Sequence, residues 1–119
     1  MSHGAYLRLN QLCDVMLDTV HWSGGNTSLD ALAGGLPVIT LPGELMRGRQ
    51  SMGMLRMLDV PELVATDADD YVCRAVEVAR EPERRAAISR TILGNLDRLF
   101  DRDEPLRAFN DFLAGVGRL

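Results

Sequence analysis

One short stretch, residues 17–30, has the sequence LDTVHWSGGNTSLD and combines three signals of a parallel α/β fold. The apolar residues between Asp14 and Asp18 predict a short buried strand. Gly24 and Gly25 predict a tight turn, and the apolar spacing that follows predicts a helix from Thr27. Strand, turn and helix in this order are typical of sheets with parallel strands.

The alternation continues on both sides of this stretch. A continuous apolar run over residues 36–41, rich in β-branched side chains, predicts a strand buried on both faces. Strands are also predicted at 14–18 and 63–65, and helices at 5–12, 27–33, 46–58, 66–79 (opened by a capping box at 66–69), 82–100 and from Pro105. We predict one α/β domain over residues 1–119, a three-layer, Rossmann-like parallel sheet. Because three strands make a thin sheet, we expect a fragment of a longer protein.

Composition excludes several classes of protein. The chain has 119 residues, 46% hydrophobic and 25% charged, which is typical of a soluble globular domain. Its longest apolar runs are only a few residues, so we predict no membrane-spanning helix. A net charge of −4 argues against binding to nucleic acid or to acidic membranes. All 13 basic residues are arginine, which excludes a Schiff base and a P-loop lysine.

Cysteine and histidine are sparse. Cys13 and Cys73 form no CxxC pair, and we predict that both are small buried hydrophobes in a reducing compartment, the cytoplasm. His3 and His21 are the only histidines, so a multi-histidine zinc site is not available. The acidic residues at 67–70 lack the spacing of a calcium loop. We therefore expect no metal and no cofactor.

The glycine turn and the helix start after it are the candidate binding site. Ligands of open parallel sheets bind beyond the carboxyl ends of the strands, where a helix N-terminus offers free N–H groups to an anion. The candidate residues for a diphosphate and its ribose are Gly24, Gly25, Asn26, Thr27, Ser28 and Asp30. Two alternatives stay open: Thr27 and Asp30 also match a capping box, and the glycines also suit a simple tight loop.

Neighbouring residues have two interpretations each. Trp22 can stack on a base or a sugar, or it can pack under the loop. Arg49 can offset a phosphate charge, or it can pair with a nearby carboxylate. His21 is a weak candidate for a general base, because nothing in the sequence orients it.

Several motifs in one order resemble the carboxyl end of the O-linked N-acetylglucosamine transferases, in particular the bacterial SPINDLY-like members with tetratricopeptide repeats. The matching segments lie between residues 6 and 79: 17–19, 24–32, 35–43, Arg49, 61–65 and 70–71. The chain departs from the family at Gly25, where many members have histidine, and at Asn26, where many have threonine. Tyr6 stands where some members have a nucleotide-contacting histidine.

The resemblance implies the carboxyl-terminal half of a GT-B glycosyltransferase, which holds the sugar nucleotide. It implies that residues 24–28 bind the diphosphate of UDP, that Asp30 binds the ribose, and that Tyr6 and Arg49 match family positions nearby. The family transfers N-acetylglucosamine from UDP-GlcNAc to Ser or Thr hydroxyls with inversion and requires no metal. The expected partners are thus a UDP-sugar and a protein acceptor. A catalytically inactive binding module with the same fold is the alternative, and an exposed apolar edge is expected to favour self-association.

Overall fold

Two short parallel strands form the sheet of this protein. The computed structural model describes residues 1–117, in which helices pack against the sheet. The strands are β1 (Met16–Leu17) and β2 (Val38–Ile39), and the α-helices are α1 (His3–Leu12), α2 (Asn26–Ala33), α3 (Gln50–Met57), α4 (Ala68–Arg80), α5 (Pro82–Gly94) and α6 (Glu104–Val116). Single turns of 3₁₀ helix cover Met46–Gly48, Pro61–Leu63 and Leu96–Arg98.

The sheet confirms the predicted α/β class with parallel strands. Met16 pairs with Val38 and Leu17 with Ile39 in parallel register. The third predicted strand is reduced to one parallel bridge, Thr40 to Val64, beside β2. All three strands are shorter than predicted, and Pro37 gives one reason, because it has no N–H to donate and only its carbonyl joins the ladder.

The core forms around β2. Successive side chains of a strand point to opposite faces, and both Val38 and Ile39 are fully buried, so both faces of β2 are covered as predicted. Helices α2 and α4 contact β2, and α5 lies against both of them. The largest fully buried apolar side chains are Leu32, Val38, Ile39, Leu55, Leu58, Val60, Leu63, Val78 and Ile92.

Three predicted helix boundaries are wrong. The helix predicted over 46–58 is divided at Arg49, whose backbone (φ −129°, ψ 5°) is not helical. The helix predicted over 82–100 ends at Gly94, and the Asn95 side chain then donates to the carbonyl of Leu58. The capping box at the start of α4 lies one residue later than predicted, because Asp67 accepts the N–H of Asp70 at 2.8 Å.

The prediction that both cysteines are buried is also wrong. Cys13 and Cys73 are free and exposed. Cys13 follows the last residue of α1, and Cys73 lies on α4 with its thiol 3.5 Å from a Glu77 carboxylate oxygen. Glu77 raises the pKa of the Cys73 thiol by hydrogen bonding and by its charge, which works against a reactive thiolate.

Helix α6 is exposed along its whole described length. Its apolar residues share one face and are each about half exposed or more: Leu106, Phe109, Phe112, Leu113 and Val116. Within residues 1–117, every helix is too short or too polar to cross a membrane.

Tyr71 joins α4 to the end of β1. Its hydroxyl donates to the main-chain carbonyl of Asp18 at 2.9 Å. Burial, and then the charge of Asp18, raise the pKa of Tyr71 above its ordinary value. The folded protein therefore favours the neutral phenol, which is the form that donates this hydrogen bond.

Replacing Tyr71 with Phe is expected to lower the free energy of unfolding by about 1 kcal/mol at neutral pH, because this hydrogen bond is lost. Since the folded pKa is raised, the contribution of the phenol is complete below about pH 10 and falls as the pH rises through the folded pKa. Urea unfolding of both proteins from about pH 7 to about pH 11 measures this difference. Tyr6→Phe is the matched control, because the Tyr6 hydroxyl makes no hydrogen bond within residues 1–117. A difference between wild type and Tyr71→Phe that grows above pH 10 would contradict the prediction.

Candidate functional site

The carboxyl ends of both strands and the N-terminus of α2 meet at one place. Residues 18–25 connect β1 to α2, and Thr40 follows β2 directly. In parallel α/β sheets this is the crevice where ligands bind. The turn predicted to carry the chemistry therefore lies where a ligand of this fold class is expected.

Asp18, one residue beyond β1, is the acceptor that shapes the turn. It is only 3% exposed. One carboxylate oxygen accepts the N–H of Gly24 at 2.7 Å. The other accepts the hydroxyls of Ser23 at 2.8 Å and Thr40 at 2.7 Å. Because a buried carboxylate is costly without such partners, these three donors fix the path of the chain between Asp18 and Gly24.

Three buried serines continue this hydrogen-bond network beneath the turn. The hydroxyl of Ser23 accepts the N–H of Ser51 at 2.9 Å. The hydroxyls of Ser51 and Ser28 lie 2.8 Å apart. Ser51 is in the first turn of α3 and Ser28 in the first turn of α2. The starts of both helices and the glycine turn are therefore joined by side-chain hydrogen bonds.

Helix α2 begins without a side-chain cap. Its N-cap is Gly25, and its first helical hydrogen bond runs from the N–H of Leu29 to the carbonyl of Gly25 at 3.1 Å. The N–H groups of residues 26–28 find no acceptor within residues 1–117. The alternative in which Thr27 and Asp30 form a capping box is wrong, because Thr27 is already inside the helix. These free N–H groups and the helix dipole make the terminus attractive to an anion.

The predicted diphosphate residues divide into two groups. Asn26 and Thr27 are exposed, and their side chains are open to solvent. Ser28 is fully buried and its hydroxyl bonds Ser51, so its predicted role as a side-chain donor to a ligand is wrong. The N–H of Gly24 is likewise taken by Asp18. Gly24 therefore shapes the turn, while Gly25 lies beside the free N–H groups.

Asp30 lies half-buried on the first turns of α2, close to α1. Its carboxylate is 4.0 Å from Nδ1 of His3. Tyr6, which is also half-buried, comes three residues after His3 and therefore lies on the same face of α1. The structure thus brings Asp30 and the side of α1 that carries Tyr6 together at the beginning of α2.

Trp22 does not pack under the loop, and within residues 1–117 Arg49 does not pair with a carboxylate. Trp22 is 66% exposed and does not pack under the loop; the guanidinium of Arg47 lies 5.6 Å from the centre of its ring, a cation–π contact. Arg49 donates to the carbonyl of Gly43 at 2.7 Å and makes no ion pair within the described residues. It therefore fastens the loop after β2 to the start of α3.

A shallow cavity of about 250 Å³ opens beside the turn, at the ends of both strands. Val20 and His21 line it from the β1 side, and Glu44 and Arg47 line it from the β2 side. His21 is exposed and makes no hydrogen bond within residues 1–117, so nothing in the described part of the chain orients it as a base.

Sequence reasoning missed Asp18, Ser51 and Gln50 as parts of the site. Gln50 extends toward Gly25, because its side-chain oxygen would lie 3.1 Å from a Cβ placed on that glycine. The signal for Asp18 was present: an acidic residue directly follows a buried strand and precedes a glycine turn. No local signal connects residue 51 to residues 23 and 28, because that contact is made by the fold.

Comparison with known proteins agrees with the motifs. The sequence profile described as glycosyl transferase family 41 matches residues 2–101. The chain belongs to glycosyl transferase family 41. This confirms the resemblance to the O-GlcNAc transferases that the motifs indicated.

The relatives that this chain matches are much longer than the chain itself. A UDP-N-acetylglucosamine–peptide N-acetylglucosaminyltransferase of Caenorhabditis elegans is 38% identical over 81 residues, which are 68% of this chain and 7% of that protein. A UDP-glucose:protein N-beta-glucosyltransferase of Actinobacillus pleuropneumoniae serotype 5b is 32% identical over 101 residues, 82% of this chain and 16% of that protein.

The fold matches that of a solved family relative. A K341M mutant of the Thermobaculum terrenum O-GlcNAc transferase superposes with a TM-score of 0.82 and 31% sequence identity. The match covers 99% of this chain and 22% of that structure. It agrees with the predicted assignment to part of a GT-B glycosyltransferase fold.

Gly24→Ala is expected to lower the free energy of unfolding by about 1–3 kcal/mol, as overpacking does. A Cβ at residue 24 would lie 2.5 Å from the hydroxyl oxygen of Ser28 and 2.7 Å from that of Thr27. Relief requires Ser28 to turn away from Ser51. Gly25→Ala is the matched control, because its Cβ meets only the flexible end of Gln50 at 3.1 Å. Urea unfolding of the two variants measures the difference, and equal stability would refute the described turn.

Proposed function

We propose that this chain is the nucleotide-sugar-binding part of a protein glycosyltransferase that acts in the cytoplasm. The reaction proposed for the whole enzyme moves N-acetylglucosamine, or a related sugar, from a UDP-sugar to Ser or Thr hydroxyls with inversion and without a metal. The observation that carries the proposal is the uncapped N-terminus of α2, held at the carboxyl ends of β1 and β2. Because the chain spans less than a quarter of its relatives, we expect it to bind nucleotide but not to transfer sugar alone.

The names of the relatives support a UDP-sugar donor more strongly than they support any one sugar. The nematode relative is named for UDP-N-acetylglucosamine and the bacterial relative for UDP-glucose, and both names specify a peptide or protein acceptor. UDP and a protein acceptor are common to both. We therefore take UDP as the proposed ligand and N-acetylglucosamine as the proposed, less constrained, sugar.

In the proposed complex the diphosphate lies at the N-terminus of α2. The free N–H groups of residues 26 and 27 and the exposed side chains of Asn26 and Thr27 donate to it, and Gly25 allows its close approach. Asp30 accepts a hydrogen bond from the ribose. Tyr6 on α1 flanks the same helix start, and Trp22 offers an exposed ring for stacking.

The helix terminus also has a proposed part in the reaction. Negative charge grows on the leaving diphosphate as the bond to the sugar breaks. Preformed donors at that position stabilise the transition state without having to reorganise. Arg49 lies at the start of α3, where one N–H of its guanidinium holds the loop after β2. Its other N–H groups are the proposed donors to a phosphate. We assign no catalytic base among the residues of this chain.

A second candidate function is a binding module that keeps the fold but transfers no sugar. The observation that favours it is the pair Gly25 and Asn26, which replaces the histidine and threonine of many family members. Hydrolysis or transfer of a UDP-sugar by the longer natural protein would exclude this alternative.

Titration calorimetry of the chain is expected to show saturable binding that favours UDP over UMP and ADP. Asp30→Ala is expected to weaken UDP binding by about 1–3 kcal/mol, because a hydrogen bond from the ribose to a carboxylate is lost. Asp111→Ala, on the exposed helix α6, is the matched control and should leave the affinity unchanged. Equal affinity of the Asp30 variant and wild type, with the fold intact, would remove Asp30 from the site.

The chain is also expected to self-associate through the apolar face of α6, because monomers rarely expose so many large apolar side chains together. We expect the mass measured by light scattering to rise with protein concentration. Phe109→Asp combined with Phe112→Asp should abolish the rise, whereas Asn110→Asp on the same helix should not. A monomer at all concentrations would contradict this expectation.

A further inference from the structure

We propose that Asp18 is a positioning residue for the diphosphate. Its carboxylate holds the glycine turn in the shape that directs the first N–H groups of α2 outward. This inference rests on the proposed function, because it concerns the same helix terminus. Asp18 touches no ligand in this scheme and acts through Gly24.

The polar groups of Asp18 connect the turn to the body of the protein. Its main-chain N–H donates to the carbonyl of Ile39 at 2.9 Å, and its carbonyl accepts the hydroxyl of Tyr71. Its carboxylate accepts the hydroxyl of Thr40 at 2.7 Å. Strand β2 and helix α4 therefore fix Asp18 from the side of the sheet. The bond to the Gly24 N–H then sets the position of the turn relative to that sheet.

A second path anchors α2 on the other side of its free N–H groups. It runs from the Asp18 carboxylate through the hydroxyls of Ser23 and Ser51 to that of Ser28. All four side chains are between 0 and 3% exposed. The two anchors, at Gly24 and Ser28, lie on either side of residues 25–27. Residues 25–27 remain available to a ligand. They are held at both ends by Gly24 and Ser28, whose hydrogen bonds are made inside the protein.

This arrangement separates a positioning role from a purely structural one. Thr40 and Gly24 donate to different oxygens of the same buried carboxylate, at the same distance of 2.7 Å. Removing either donor costs stability, because a buried acceptor loses a partner. Of these two bonds, only the one from Gly24 reaches the turn, because Thr40 lies at the end of β2. If UDP affinity falls when the Gly24 bond is weakened, but not when the Thr40 bond is removed, the loss is therefore specific to positioning.

The test compares Asp18→Asn with Thr40→Val in the complete chain. Asn keeps the size of the side chain but replaces one acceptor oxygen with an NH₂ donor. The three groups that donate to residue 18, from Ser23, Gly24 and Thr40, then compete for one oxygen. Val keeps the size of Thr and removes one donor from the same carboxylate. Calorimetry measures UDP affinity at a temperature where every variant is folded. Amide hydrogen exchange, followed by NMR, measures how firmly Gly24 is held.

For Asp18→Asn we expect UDP affinity to fall about tenfold, the effect of losing one hydrogen bond to a charged group. We also expect the Gly24 N–H to exchange about tenfold faster, because its acceptor is weakened. For Thr40→Val we expect both quantities to stay within about twofold of wild type. Ser51→Ala breaks only the second path and is expected to weaken UDP binding by a smaller factor.

Unchanged UDP affinity in Asp18→Asn, with faster exchange at Gly24, would overturn the positioning role and leave the proposed function standing. Unchanged exchange at Gly24 would overturn it as well. A wild-type chain that binds no UDP would overturn the proposed function itself, and the exchange data would still decide whether Asp18 holds the turn. If Asp18→Asn does not fold, Asp18→Glu decides, because its longer side chain moves the carboxylate relative to the Gly24 N–H. Unchanged UDP affinity in that variant, with faster exchange at Gly24, then overturns the proposal.

Discussion

The hydrogen bond between the Asp18 carboxylate and the N–H of Gly24 is the constraint on which the rest of the site depends. Taking a carboxylate out of water is costly unless donors replace the water, so the chain beyond β1 has to bring donors back to it. Two come from the turn itself, Ser23 and Gly24, and one comes from Thr40 at the end of β2. The sheet and the turn are thereby fixed to each other through one side chain.

This constraint decides which donors remain for a ligand. The Gly24 N–H and the Ser28 hydroxyl are used inside the protein, whereas the N–H groups of residues 26 and 27, at the exposed start of α2, have no acceptor in the described chain. A serine, threonine or aspartate at the N-cap would occupy one of these N–H groups, but the N-cap is Gly25. The helix therefore begins with its dipole and its donors unused. That costs a little stability and leaves an anion site open.

Local patterns predicted the parts of this structure that depend on neighbours in sequence. The strand–turn–helix order around Gly24 and the buried β2 were confirmed, and α2 ends at residue 33 as predicted. The capping role of Thr27 was wrong because the N-cap of α2 is Gly25, two residues before Thr27. The burial of Ser28 and the exposure of Trp22 were missed because they depend on Ser51 and Arg47, which lie in a later loop and helix.

The absence of lysine gives the backbone a larger part in this site than it would otherwise have. Two arginines lie near the turn, but Arg47 rests on the ring of Trp22 and Arg49 donates to the carbonyl of Gly43. Their guanidinium groups shape the loops that border the crevice. In the proposed complex the diphosphate charge meets main-chain N–H groups of α2. Such donors are directional, and their direction is set by the peptide planes of the turn. A chain that binds an anion in this way needs its turn held rigidly, which is what a buried carboxylate with three donors provides.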